Sequence, residues 1–256
     1  VDDTVVASYV VMRTGLDEAT LAGGKSALQV SGLDEATTYT FSVIAEDASG
    51  NRSSPLILTV QTGDVTPPIW DEDATLTASQ VTDTTLTLSW AGATDNVAVA
   101  GYEVHSGDTV AATTTGATSV DLTALPPWTS LSFEIIALDG VGNASAPGPK
   151  VSVKTSDTVP PTWPGGTALT TSGVSATGVT LTWPAAMDNV GIASYQLRHD
   201  KVVVATTDSG TTTATVTGLD PASSHTFTVW AVDVAGNVST GNPSAMLSTQ
   251  DGGAPT

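Results

Sequence analysis

Apolar and polar residues alternate along much of this chain. In Thr85-Leu86-Thr87-Leu88-Ser89-Trp90 and in Val179-Thr180-Leu181-Thr182-Trp183 the apolar side chains keep one parity. Tyr39-Thr40-Phe41-Ser42-Val43 and His225-Thr226-Phe227-Thr228-Val229-Trp230 follow the same rule. A period of two puts successive side chains on opposite faces of an extended chain, so each stretch predicts a strand with one buried and one wet face. Thr and Val abound in these stretches, and no long segment has a helical period. Turn-forming residues separate the short strands, which predicts antiparallel β-sandwiches.

The strands belong to a long repeat. Asp2 to Tyr9 read DDTVVASY, Asp95 to Tyr102 read DNVAVAGY, and Asp188 to Tyr195 read DNVGIASY. Each phrase is followed about forty residues later by a second one, ending at Asn51 (EDASGN), Asn143 (LDGVGN) and Asn237 (VDVAGN). Tyr9, Tyr102 and Tyr195 recur every 93 residues, as do Trp90 and Trp183. A period of that length implies an array of whole domains and argues against one active site.

These residues carry a resemblance. The unit resembles a fibronectin type III domain of the bacterial extracellular kind. Trp90 and Trp183 match its second-strand core Trp, and Tyr9, Tyr102 and Tyr195 match the apolar position of its third strand. Leu33 and Tyr39, in LDEATTY, match the leucine and the corner tyrosine before the sixth strand. The later units depart at that corner, with Leu125 then Leu131 and with Leu219 then His225. Leu131 has no group to make the corner hydrogen bond, and His225 is expected to make it only in part. The resemblance implies an all-β chain of tandem seven-stranded immunoglobulin-like β-sandwiches with fibronectin type III topology.

Paired prolines mark the boundaries. Thr62–Trp70 contains Pro67-Pro68, Thr155–Trp163 contains Pro160-Pro161, and Thr249-Gln250-Asp251 opens a third such segment. Paired prolines stiffen a junction. The expected domains are 1–63, 64–155 and 156–250, with 251–256 starting a linker to a further unit. Domain 1–63 lacks room for the first two strands, so preceding residues of a longer parent, or a neighbouring chain, are expected to complete it.

Charge narrows the partners. The formal net charge is -19, from 26 acidic residues against 7 Lys plus Arg, and only six of the acids are Glu. Such a surface repels nucleic acid and anionic membrane. No run of eighteen apolar residues exists to form a spanning helix, so no membrane insertion is expected. Cysteine is absent, which suits a bacterial exoprotein folding without oxidation. A secreted or cell-surface location is the expectation.

The acids also suggest a cofactor. In this fold the loop after the second strand (Asp95-Asn96, Asp188-Asn189) and the loop after the sixth (Asp139 to Asn143, Asp233 to Asn237) share one pole. The incoming linker, with Asp64 or Asp157, arrives there too. Carboxylates and amide oxygens are hard ligands of the kind Ca²⁺ takes. The candidate metal residues are therefore Asp64, Asp95, Asn96, Asp139 and Asn143 at one junction, and Asp157, Asp188, Asn189, Asp233 and Asn237 at the next. The competing reading makes these residues turn formers whose side chains cap their own backbone.

Other chemistry has less support. Trp128 and Trp230 are candidates for stacking on sugar rings, but they do not form a repeated row. Trp70 and Trp163 are expected to pack at the junctions or to start the first strand. His105 and His199 read as exposed strand residues without catalytic partners, and no catalytic or cofactor-binding residues are assigned. The Asn-x-Ser triplets at Asn51, Asn143 and Asn237 coincide with one repeated loop. The expected function is a non-catalytic spacer or stalk array within a larger secreted or cell-surface bacterial protein. Its partners would be flanking domains of the same chain, with junctions stiffened by calcium. The alternatives are carbohydrate- or protein-binding adhesion modules accessory to a polysaccharide-degrading enzyme, or a self-associating filament subunit.

Overall fold

The computed structural model describes residues 5–14 and 19–253, and among them finds eighteen β-strands and no helix. Asp2 and Asp3 of the first loop phrase, and residues 254–256, lie outside the described residues.

The first repeat forms one four-stranded antiparallel sheet from β1 (Val6–Arg13), β2 (Ala19–Ala22), β3 (Thr38–Asp47) and β4 (Leu56–Gln61), in the order β2-β1-β3-β4. The second repeat has β5 (Leu76–Ser79), β6 (Leu86–Trp90), β7 (Val99–Ser106), β8 (Thr109–Thr114), β9 (Ser119–Leu122), β10 (Ser130–Asp139) and β11 (Lys150–Lys154). They form sheets β5-β6-β9 and β11-β10-β7-β8. The third repeat has β12 (Thr170–Ser172), β13 (Gly178–Thr182), β14 (Ile192–His199), β15 (Val202–Asp208), β16 (Thr213–Thr217), β17 (Ser224–Asp233) and β18 (Ser244–Ser248). These form β12-β13-β16 and β15-β14-β17-β18. The chain thus carries two tandem seven-stranded antiparallel β-sandwiches, each preceded by a Pro-Pro segment.

Two compact units carry these sheets. One holds the described residues of Val1–Thr75 with Trp90–Thr118 and Glu134–Pro149; the other holds Leu76–Ser89, Ser119–Phe133 and the described residues of Lys150–Thr256. Each acidic loop cluster described below lies within a single unit.

The alternation sets the core. In β17, His225, Phe227, Val229 and Ala231 are buried, while the residues between them are not. Phe227, Val229 and Ala231 join Val179, Leu181, Trp183, Tyr195 and Leu197 in one apolar cluster. Tyr195 sits between two indoles, its ring centroid 5.9 Å from those of both Trp163 and Trp183. Its hydroxyl accepts the Ala186 N–H at 3.0 Å, so the one polar atom of the ring is satisfied. Tyr102 repeats the arrangement with Trp70 at 5.8 Å, Trp90 at 5.5 Å and the Ala93 N–H at 3.2 Å. The 93-residue period therefore marks an aromatic stack, with Trp70 and Trp163 delivered to it by the linkers.

The corner positions diverge as the sequence suggests. Tyr39 accepts the Asp34 N–H at 2.7 Å. His225 stands at this corner in the third repeat and bonds a carbonyl instead of an N–H. With its proton on Nε2 it donates to the Asp220 carbonyl at 3.2 Å, and Nδ1 accepts from Nε2 of His199 at 3.0 Å. His199, expected as an exposed strand residue, is half-buried and stacks on Phe227 at 4.8 Å.

The first repeat differs more. Ala27–Val30 occupies the position of β9 and β16, yet forms no ladder. β9 pairs with β6 and β16 with β13, and the first repeat has no strand equivalent to these two among the described residues. Its apolar residues Leu28 and Val30 are exposed. A cavity of about 650 Å³, lined by Tyr9, Val11, Leu21, Phe41 and Val43 among others, opens over that face.

Candidate metal centre

Three segments build each acidic pole, and each is shaped by its own hydrogen bonds. The first is the D-x-x-G-N turn at the end of β10 or β17. Asp139 Oδ1 accepts the N–H groups of Val141, Gly142 and Asn143 at 2.7–2.9 Å, and Oδ2 accepts the Asn143 side-chain amide at 2.6 Å. Asp233 makes the same turn with Ala235 and Asn237. The turn needs left-handed backbone at Gly142 and Gly236, each with φ of 96°, which glycine adopts without a Cβ clash. The pairing register shifts just before the first of these turns, where Leu138 faces Gly101 and Asp139 faces Val99, so the extra residue, Ala100, lies on β7.

The Ser of each Asn-x-Ser triplet closes the same turn. The Oγ atoms of Ser53, Ser145 and Ser239 accept the N–H groups of Ala45, Ala137 and Ala231 at 2.9–3.0 Å. The Asn side chains are equally engaged, so the triplet is a folding element of the repeat.

The second segment is the Asp-Asn loop before β7 or β14. Asp95 Oδ1 caps Val97 and Ala98, and Asp188 Oδ1 caps Val190 and Gly191, all at 2.8–2.9 Å. The third is the linker. Reciprocal backbone bonds tie Ile69 to Thr94 and Thr162 to Met187 at 2.8–2.9 Å. Asn143 donates to the Asp64 carbonyl at 3.3 Å, and Asn237 to that of Asp157 at 3.0 Å. Asn96 and Asn189 reach Oδ1 of Asp64 and Asp157 at 3.4 and 3.3 Å.

The result is two carboxylate triads, Asp64–Asp95–Asp139 and Asp157–Asp188–Asp233. In each, one oxygen from every residue lies within 4.8 Å of the others. No Lys or Arg occurs in the segments that supply them. All ten residues expected from the sequence are thus brought to two poles. The four Asn present donors to the acids, so their amides hold the triads in place. Clusters of this all-oxygen kind can coordinate a divalent ion.

Burial pushes the Asp139 carboxyl up, but the hydrogen bonds from the Asn143 backbone and side chain, Val141 and Gly142 outweigh it and hold the group below its ordinary value of 3.8. The folded state then binds this proton less readily than the unfolded state does. Stability from Asp139 is present above that value and is lost as pH falls through the lower folded one. Asp139→Asn is therefore expected to flatten the acid limb of a stability–pH curve. An unchanged acid limb in urea unfolding at stepped pH would contradict this. Glu35 is held low as well, first by the Thr66 hydroxyl and then by the Val65 N–H, which fastens the first linker to the repeat before it. Asp83 fastens the second linker by accepting the Thr158 hydroxyl at 2.9 Å.

Three half-buried aromatic rings each carry a cation. Lys154 Nζ lies 3.3 Å from the Trp128 ring centroid, Arg198 Cζ 4.1 Å from that of Trp230, and Arg13 Cζ 4.8 Å from that of Tyr39. Three of only 7 Lys and Arg residues are spent in this way. A sugar stacking on Trp128 or Trp230 would have to displace a cation. The sequence carried no periodic signal for these pairs, since each occurs in one repeat alone. Among the described residues no helix is long and apolar enough to cross a membrane.

Comparison with known proteins gives a consistent result. The model described as "Fibronectin type III domain" matches residues 72–154 and 160–247. Chitinase A1 of Niallia circulans is 36% identical over 91% of this chain, which spans 34% of that protein. Exoglucanase B of Cellulomonas fimi is 38% identical over 97% of this chain and 23% of its own length. Exoglucanase A of the same organism is 41% identical over 97% of this chain and 30% of its own length. The chain therefore spans about a third or less of each of these relatives.

Proposed function

Because the chain belongs to the fibronectin type III domain family, we propose that it is an accessory spacer array of a secreted bacterial polysaccharide-degrading enzyme. The chain is non-catalytic and extracellular. One observation carries the reading: nearly all of this chain aligns with enzymes of which it covers only a minor part. The partners are then flanking catalytic and sugar-binding domains, and the array sets their separation. This favours an enzyme accessory over a free-standing stalk. Linkers bonded on both sides, through Glu35 or Asp83 behind and the acidic pole ahead, suit a stiff spacer. Ca²⁺ is the cofactor proposed for the two triads, with Asp as ligands and Asn as positioning groups.

A chimaera tests the spacer role. The chain is placed between a chitinase catalytic domain and a chitin-binding domain, and repeats are then removed one at a time. Hydrolysis of soluble oligosaccharide is expected to stay constant, while hydrolysis of insoluble chitin falls with each repeat lost. Retention of residues 1–256 alone on chitin or cellulose would instead make the array a binding module.

A further inference from the structure

We infer that the two triads are unequal, and that Asp157–Asp188–Asp233 is the tight Ca²⁺ site while Asp64–Asp95–Asp139 is the weaker one. This rests on the reading of both triads as cation sites and adds their order.

The difference lies in burial and in unanswered oxygens. Asp157 is 6% exposed, whereas its counterpart Asp64 is only half-buried. Oδ1 of Asp157 accepts from Val159 and Asn189, but its Oδ2 is shielded from solvent and has no hydrogen-bond partner. Oδ2 of Asp188 is in the same state. Asp233, 2% exposed, completes the triad. The second pole thus holds two buried carboxylate oxygens without donors, while the first holds one, on Asp95. A buried anionic oxygen without a partner is strongly unfavourable, and a cation answers several at once. The turn and linker bonds already fix these acids, so little ordering remains to oppose binding.

The chemistry selects the ion. Three carboxylates with no His or Cys exclude the ligand set that zinc prefers. Ca²⁺ accepts irregular oxygen shells completed by water, whereas Mg²⁺ demands near-octahedral geometry. Because Asp157 belongs to the linker and Asp188 and Asp233 to the loops it meets, an ion here ties residues 157–163 to the third repeat. It is a cross-link between segments far apart in sequence.

Isothermal titration of residues 1–256 with Ca²⁺ after chelation tests the order, with Mg²⁺ as a second titrant. Two phases are expected, the tighter one stoichiometric with the chain and weaker for Mg²⁺. Asp157→Asn, nearly isosteric, is expected to remove the tighter phase, and Asp64→Asn to leave it. Asp188→Asn serves as the second variant if Asp157→Asn lowers the melting temperature in chelator. Loss of the tighter phase in Asp64→Asn, or two equal phases, would overturn the order while leaving cation binding standing. No heat with either ion, together with a melting curve unmoved by Ca²⁺ or chelator, would remove both. The spacer reading is judged separately by the chimaera.

Discussion

Replacing Tyr195 by Ala is expected to destabilise the third repeat by about 3–5 kcal/mol, the range for deleting a buried aromatic ring. The ring is 1% exposed and fills the space between Trp163 and Trp183. Removing it leaves a void that two indoles on different segments cannot jointly close. It also orphans the Ala186 N–H, which is itself buried. Trp163 reaches the stack from the linker, so its fluorescence should report the loss along with that of Trp183. Tyr195→Phe keeps the packing and deletes only the hydrogen bond, with an expected effect of about 1 kcal/mol. Denaturant unfolding followed by Trp emission separates the two variants. Equal effects would mean that the hydroxyl, not the stack, governs stability here.

The second large effect is expected at Asp233, measured in chelator so that no ion contributes. Asp233→Ala should lose about 3 kcal/mol, because charge-assisted bonds to part-buried donors vanish together. The carboxylate accepts from Ala235, from the Asn237 backbone and from the Asn237 amide at 2.7–2.9 Å. None of those donors has an obvious substitute inside the turn. The Asn237 amide also holds the Asp157 carbonyl, so the linker should loosen in the same variant. Asp233→Asn should recover part of the loss, since one oxygen remains while the new amide faces that of Asn237. A variant as stable as the parent in thermal unfolding would show that the turn forms without its central acceptor.

Much of this was legible in the chain. The strands could be read because each has one dry face, as in Leu86-Thr87-Leu88, and burial follows that parity. The meeting of Asp64, Asp95 and Asp139 could be read only with the resemblance in hand, because it depends on which loops share an end of the sandwich. What stayed hidden were features set by pairing and by unique neighbours. The role of His225 depends on His199, 26 residues away, and on the Asp220 carbonyl. The cation over Trp128 depends on Lys154, at the end of a strand 26 residues further on. The turn-former reading and the ligand reading do not compete for the same atoms. Oδ1 of Asp95 and Asp188 caps the turn, and Oδ2 is left over.

The bonds at each acidic pole join residues from the same stretch of the repeat: linker Asp, Asp-Asn loop and D-x-x-G-N turn all follow one another within a single 93-residue period. An unequal exchange between two copies of the coding sequence would therefore regenerate a whole junction wherever it fell, with each linker still meeting its own loops. Copy number is then free to drift without any compensating mutation, and reach becomes a quantity that selection can set in whole steps.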